Sequence, residues 1–255
     1  MEIRSLKEQY AIIDKCLKER LDIILPEVMF ASEADMWLVA SKEYNEDPTF
    51  RAMTPASFLT ARRITMLVFV KEEDYIHRYS LSMPDEDLER FYEPYWKFGQ
   101  EEQMDALKRL LERKNPKKIA INASTNFSVC DGLSRGIYTS LLKDLDAKWL
   151  DRMINDDLLA MKFMEIRTPY EIQMMPEVMK VAHSIMEEMY TSKVITPGVT
   201  TTQDLEWFMM EKVNKYGLEY WFAPTMDLQR EGEANSRWTG VIQKGDLLHC
   251  DFGIR

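Results

Sequence analysis

The segment richest in chemical options runs Gly245, Asp246, Leu247, Leu248, His249, Cys250, Asp251, Phe252, Gly253, Ile254. A Gly-Asp turn launches an apolar run, and one carboxylate, Asp251, sits inside it. A carboxylate among apolar neighbours needs a cation, backbone donors or a metal, because an unpaired buried charge is costly. Alternate residues of a strand share a face. Leu247, His249, Asp251 and Gly253 are therefore expected on one side, and Leu248, Cys250, Phe252 and Ile254 on the other. His249 and Asp251 then point at a common site. As a metal fragment the pair has too few ligands to close a centre, and a structural hydrogen bond is its plainer reading. Asp251-Phe252-Gly253 also spells the metal-binding tripeptide of protein kinases. The His-Arg-Asp catalytic loop and the Gly-rich loop that should precede it are missing, so a kinase is excluded. His77 and His183 are expected as packed or surface histidines and Cys250 as core. No Gly-X-Ser-X-Gly elbow is present.

These residues need elements to hold them. Leu6, Tyr10, Ile13, Leu17, Leu21 and Ile24 recur at helical spacing, with Pro26 expected to stop the run. Residues 36–40, 64–70 and 75–82 have the composition of strands, 103–111 of a helix, and 119–123 of a short strand. Strands and helices interleave, so the first half is expected to be an α/β domain. The polar stretch from Lys42 to Pro48 follows a strand, where α/β folds often place functional loops, but a solvated turn closed by Asp-Pro is preferred. Thr168-Pro169-Tyr170-Glu171 is a capping box. It opens a helix with Ile172, Met175, Met179, Ala182, Met186 and Met189 on one face, which Pro176 should kink or split. Thr201-Thr202-Gln203-Asp204 opens a second helix, with Gly217 as its stop. The texture changes around 151–167, which places the domain boundary near residue 157: 1–157, then 158–255.

Composition narrows the function classes. A net charge of -10 over 255 residues argues against nucleic-acid binding. Cys16, Cys130 and Cys250 are odd in number and far apart, so they make neither a disulfide framework nor a zinc pattern. No apolar run is long enough to span a bilayer, and the charged N-terminus lacks the apolar core of a signal peptide. A reducing, cytoplasmic setting is the expectation.

The second half resembles the opening of a pita-bread metallohydrolase of the creatinase, prolidase and Xaa-Pro aminopeptidase group. Four features carry the resemblance in order: Arg167-Thr168-Pro169-Tyr170-Glu171-Ile172, Pro197-Gly198-Val199-Thr200, Trp221-Phe222-Ala223-Pro224, and Ile242 to Gly253 with its Gly-Asp turn. Asp35-Met36-Trp37-Leu38-Val39 and Glu43-Tyr44-Asn45-Glu46-Asp47-Pro48 are similar to a subgroup's N-terminal domain. The resemblance implies an α/β creatinase-like N-terminal domain followed by an incomplete α+β pita-bread domain. It also implies a metallopeptidase in which Asp, Asp, His, Glu and Glu hold two divalent ions (Mn, Zn or Co) and a bridging hydroxide attacks the peptide carbonyl. Asp251 falls on the first Asp of that set, and the other ligands lie beyond Arg255 in the family's order. Many such peptidases also carry a substrate-binding His ahead of the first Asp. Here no His stands between His183 and His249, and Trp238 occupies roughly that region.

The expectation is therefore a truncated piece of a Xaa-Pro aminopeptidase-type enzyme. The parent would take a peptide substrate and form a homodimer, while this chain alone would bind no metal pair and hydrolyse nothing. The alternative is a non-catalytic pita-bread binding protein or a dimerisation module.

Overall fold

The computed structural model describes residues 4–233 and 237–254, so Arg255, where the expected break falls, lies outside the described residues. The chain divides into two compact units, Arg4–Tyr170 and Glu171 onward.

The first unit is a mixed six-stranded sheet with helices on both faces. Its strands are β1 (Met36–Lys42), β2 (Ile64–Lys71), β3 (Ile76–Leu81), β4 (Glu93–Pro94), β5 (Ile119–Ile121) and β6 (Met153–Asn155), in the order β4-β3-β2-β1-β5-β6. β1–β2 and β2–β3 are antiparallel, while β1–β5, β5–β6 and β3–β4 are parallel. Its helices are α1 (Leu6–Glu19), α2 (Leu25–Ala31), α3 (Pro48–Arg51), α4 (Glu86–Glu89), α5 (Gln103–Lys114), α6 (Arg135–Asp144), α7 (Ala147–Leu150) and α8 (Asp157–Glu165). The period-2 alternation of β1 and β2 sorts their side chains to two faces. Trp37, Val39, Leu67 and Phe69 pack with Leu17, Leu25, Met29 and Phe163 on one face; Met36, Leu38, Met66 and Val68 pack with Leu107, Leu110, Ile137 and Leu141 on the other. Both faces of β1 are buried, so it is apolar at nearly every position.

Three local expectations change here. Pro26 does not stop the first helix. A π turn (Arg20–Ile24) lets the Leu25 N–H reach the Arg20 carbonyl, and Pro26 then sits in the first turn of α2, where a missing N–H is tolerated. The stretch after β1 is a turn exposed at Lys42, Tyr44, Asn45 and Pro48, as expected, but its Asp47 is buried rather than solvated, at 1% exposure. Finally, the sequence placed the domain boundary near 157, yet α8 buries Leu159, Ala160 and Phe163 in the first unit's core, and the compact units part between Tyr170 and Glu171.

The second unit holds α9 (Pro169–Met189, from Glu171 onward), α10 (Thr202–Lys215) and an antiparallel pair, β7 (Thr225–Gln229) and β8 (Leu247–Asp251). Val181, Ile185 and Met189 of α9 pack against Leu205, Met209 and Val213 of α10 and against Met226 and Leu228 of β7. Pro176 was expected to kink or split α9, but the helix runs unbroken through it. Ile172, whose carbonyl loses its donor, is exposed, so water can satisfy it. Thr201 caps α10 in a reciprocal box with Asp204. No helix among the described residues is long and apolar enough to cross a membrane.

Candidate metal face on the β7–β8 pair

β8 divides its side chains as its sequence parity demands. Leu248, Cys250, Phe252 and Ile254 pack toward the core, and the Cys250 thiol lies 3.8 Å from the Met186 sulfur. Leu247, His249 and Asp251 lie on the exposed face. The expected burial of Asp251 is thereby corrected: the open face of a two-stranded ribbon leaves its carboxylate in solvent, where the cost of burying a charge does not arise.

Register sets what stands beside it. Asp251 pairs with Thr225, and His249 with Asp227. His249 Nδ1 is 3.1 Å from Asp227 Oδ2, which is the structural hydrogen bond offered by the plainer reading of the histidine. The other carboxylate oxygen of Asp227 is buried, accepts no hydrogen bond, and lies 3.7 Å from Arg237 Nε. Arg237 is brought there because Trp238 pairs with Leu228 through two backbone hydrogen bonds of 2.9 and 3.1 Å. Asp227 and Arg237 were missed in the sequence. The alternation Thr225, Met226, Asp227, Leu228, Gln229 would have revealed the strand and put Asp227 on its polar face; the register that sets it opposite His249 comes from the structure.

The Gly-Asp turn ahead of β8 is fixed by charge. Gly245 adopts φ +93°, and the next carboxylate, Asp246, receives Arg230 through two 2.7 Å hydrogen bonds and the Gln243 N–H at 2.7 Å. The Arg230 hydrogen bond, ahead of the Gln243 amide, holds the Asp246 carboxyl below its ordinary pKa. Asp246 is thus a clamp for the turn.

A single buried carboxylate, Asp47, lies in the first unit beyond the carboxyl ends of β1 and β5, where α/β sheets tend to bind ligands. Asp47 accepts from the Thr49 N–H at 2.7 Å as the N-cap of α3, and from Asn122 Nδ2 at 2.6 Å. Asn122 Oδ1 in turn accepts from Trp37 Nε1 at 2.8 Å. Burial, only partly offset by these donors, pushes the Asp47 carboxyl above its ordinary pKa. The space beside it is closed: a Cβ on Gly132 would lie 2.0 Å from Asp47 Cγ. This network ties two loops together and leaves no room for a ligand.

No protein-family profile and no curated protein matches the sequence. Solved structures do. The Xaa-Pro dipeptidase from Bacillus anthracis aligns with TM-score 0.57 at 19% identity, over 94% of this chain and 61% of its own. A dipeptidase from Pyrococcus horikoshii OT3 aligns with TM-score 0.53 at 17% identity, over 91% and 60%. Aminopeptidase P from E. coli, solved with the inhibitor Pro-Leu, gives 0.53 at 15% identity, over 99% and 60%. The chain has the pita-bread fold of the creatinase and prolidase group. It spans about three-fifths of the length of the peptidases it matches.

The pita-bread group implies a metal pair, and the described residues do not by themselves fit one. No group of three or more His, Cys, Asp or Glu among them could hold a metal ion. Asp251 is a single carboxylate, and Asp227 is already engaged by His249 and Arg237.

Proposed function

We propose that this chain is the first part of a metallopeptidase of the Xaa-Pro dipeptidase and aminopeptidase type. In the complete protein Asp251 would contribute one carboxylate to a site for two divalent ions (Mn, Zn or Co), with the remaining ligands supplied by residues outside this sequence. The observation that supports this reading is the fold correspondence over 94% of the chain, together with an exposed, unpaired Asp251 at the end of β8. The 255 residues alone hydrolyse nothing on this reading. A cytoplasmic, homodimeric parent acting on peptides belongs to the same proposal.

The test is to assay the purified chain against Xaa-Pro dipeptides and tripeptides with added Mn, Co or Zn. The expected result is no turnover. The reading frame extended beyond Arg255 should hydrolyse them and lose activity on Asp251→Ala. Turnover by the 255-residue chain that Asp251→Ala abolishes would overturn the inactivity, and an extended frame that binds no metal would overturn the peptidase.

That last outcome would favour the second reading, a non-catalytic pita-bread binding protein or dimerisation module. Its support is local: no His stands between His183 and His249, Trp238 occupies roughly the region of the family's substrate-binding histidine, and Asp227 is held by His249 and Arg237 without a metal.

A further inference from the structure

The first unit carries an open sheet edge with a built groove beside it. β3 is paired along its whole length with β2, but β4 is only two residues long and covers only Tyr79 and Ser80. Ile76, His77 and Arg78 therefore have no partner strand on that side among the described residues. Pro94 cannot extend β4 as a donor. Beside the gap lies a groove of ≈ 420 Å³ lined by Tyr75, His77, Arg78, Glu89, Phe91 and Glu93.

The chemistry of the groove is aromatic and acidic. His77 stacks on the buried Tyr79 at 4.2 Å and meets the exposed Tyr75 at 5.9 Å, so Tyr75 and His77 form a two-ring shelf backed by Tyr79. His77 Nε2 lies 2.6 Å from Glu93 Oε2, whereas its Nδ1 is buried and unpartnered. The cations nearby are largely engaged. Arg78 pairs with Asp22 at 2.8 Å, Lys114 pairs with Glu72 at 2.5 Å, and Arg113 lies near Tyr95 and Glu93. Glu73, Asp74 and Glu89 are exposed and have no ion pair among the described residues.

We propose that this edge binds an extended basic peptide by strand addition. The backbone of the peptide would continue the line of β4 along Ile76–Arg78, and its lysine or arginine side chains would lie on the Tyr75–His77 shelf within reach of Glu73, Asp74 and Glu89. Open edges recruit strands through backbone hydrogen bonds, and alternate side chains supply selectivity. The occupant is basic because the rim is acidic. This inference does not depend on the peptidase reading.

The test uses the full 255-residue chain and a fluorescein-labelled hexapeptide alternating lysine and valine, followed by fluorescence anisotropy. Three controls accompany it: the same peptide N-methylated at alternate amides, a glutamate-for-lysine version, and the exposed-site variants Glu89→Lys and Tyr75→Ala. Saturable binding is expected, weakened about tenfold or more by N-methylation, by the glutamate swap and by Glu89→Lys, a change of about 1.4 kcal/mol. Tyr75→Ala should weaken it several-fold. Hydrogen exchange of the Ile76 and Arg78 amides should slow on binding. No saturation overturns the proposal. Equal affinity for the N-methylated peptide, or binding unchanged in Glu89→Lys, reduces the attraction to general charge and overturns it as well. Concentration-dependent dimerisation that protects the same amides without peptide would assign the edge to a second copy of the chain instead.

Discussion

Asp47, in the turn that follows β1 in the first unit, and Asp251, at the end of β8 in the second, have opposite environments. Asp47 follows β1, is 1% exposed, and is held by Asn122 and the first turn of α3 with Gly132 pressed against it. Asp251 ends β8 on an open face, opposite Thr225. The difference follows from layering. β1 lies inside a sheet covered on both faces, so a carboxylate at its end is enclosed by the returning loop of β5 and must find donors there. β8 lies in a two-stranded ribbon packed on one face only, so every second side chain is left to solvent. A carboxylate that is fully satisfied inside the fold serves the fold. A carboxylate left unpaired on a surface is available to something else.

The largest effect should come from closing the space around Asp47. Gly132→Ala places a methyl group 2.0 Å from Asp47 Cγ, which must displace either the buried carboxylate or the loop. Overpacking of this kind costs about 1–3 kcal/mol or more. Urea denaturation of the first unit should show a fall at the upper end of that range. An unchanged midpoint would mean that the loop is free to move and that Asp47 is not enclosed.

Next comes Asp47 itself. Asp47→Asn keeps the size but faces one amide donor with another, losing one of the two bonds from Asn122 and Thr49, about 1–2 kcal/mol. The pH dependence has a definite sign. Because burial raises the folded pKa of this carboxyl, the folded state binds its proton more tightly than the unfolded state. That contribution is fully present below about pH 4 and is lost as pH rises through the folded pKa. Wild type should therefore exceed Asp47→Asn most at acid pH, with the gap narrowing toward neutrality. Parallel urea titrations at several pH values would measure it. A gap that widens with pH would mean that Asp47 is stabilised as an anion.

A third carboxylate sharpens the contrast with the opposite sign. Asp246 has its pKa lowered, chiefly by Arg230. Its contribution is present above its ordinary pKa of about 4 and is lost as pH falls through the depressed folded value. Arg230→Ala should destabilise the second unit at neutral pH and flatten its acid limb, as read by thermal melts from neutral pH into the acid range. Equal slopes for both proteins would assign the Gly245 turn to its backbone alone.

The legible and illegible parts of the fold divide along the same physical line. Period-2 parity alone sorted β8 correctly, with Cys250 to the core and His249 to the open side. Capping residues fixed the start of α10, and the resemblance carried by Arg167–Ile172 and Ile242–Gly253 anticipated the pita-bread fold. What failed was environment. Parity says which residues share a face, but it does not say whether another layer covers that face, so Asp251 was expected in an apolar setting and Asp47 in water. The prolines failed for a related reason. Pro26 and Pro176 were weighed as isolated breakers, whereas a π turn before one and solvent around the other absorb the missing donor.

The smallest expected effect falls on Asp251. A solvent-exposed carboxylate with no hydrogen bond should tolerate Asp251→Ala within about 0.5 kcal/mol, and the melting curve of the second unit should be superimposable on wild type. Stability and function are then separable at this residue: the same substitution should leave the fold untouched and remove divalent-metal binding from the extended reading frame, as read by calorimetric titration with Mn. A loss of stability in the 255-residue chain would mean that Asp251 has a structural partner, and its place at the end of β8 would then serve the fold, as Asp47 does.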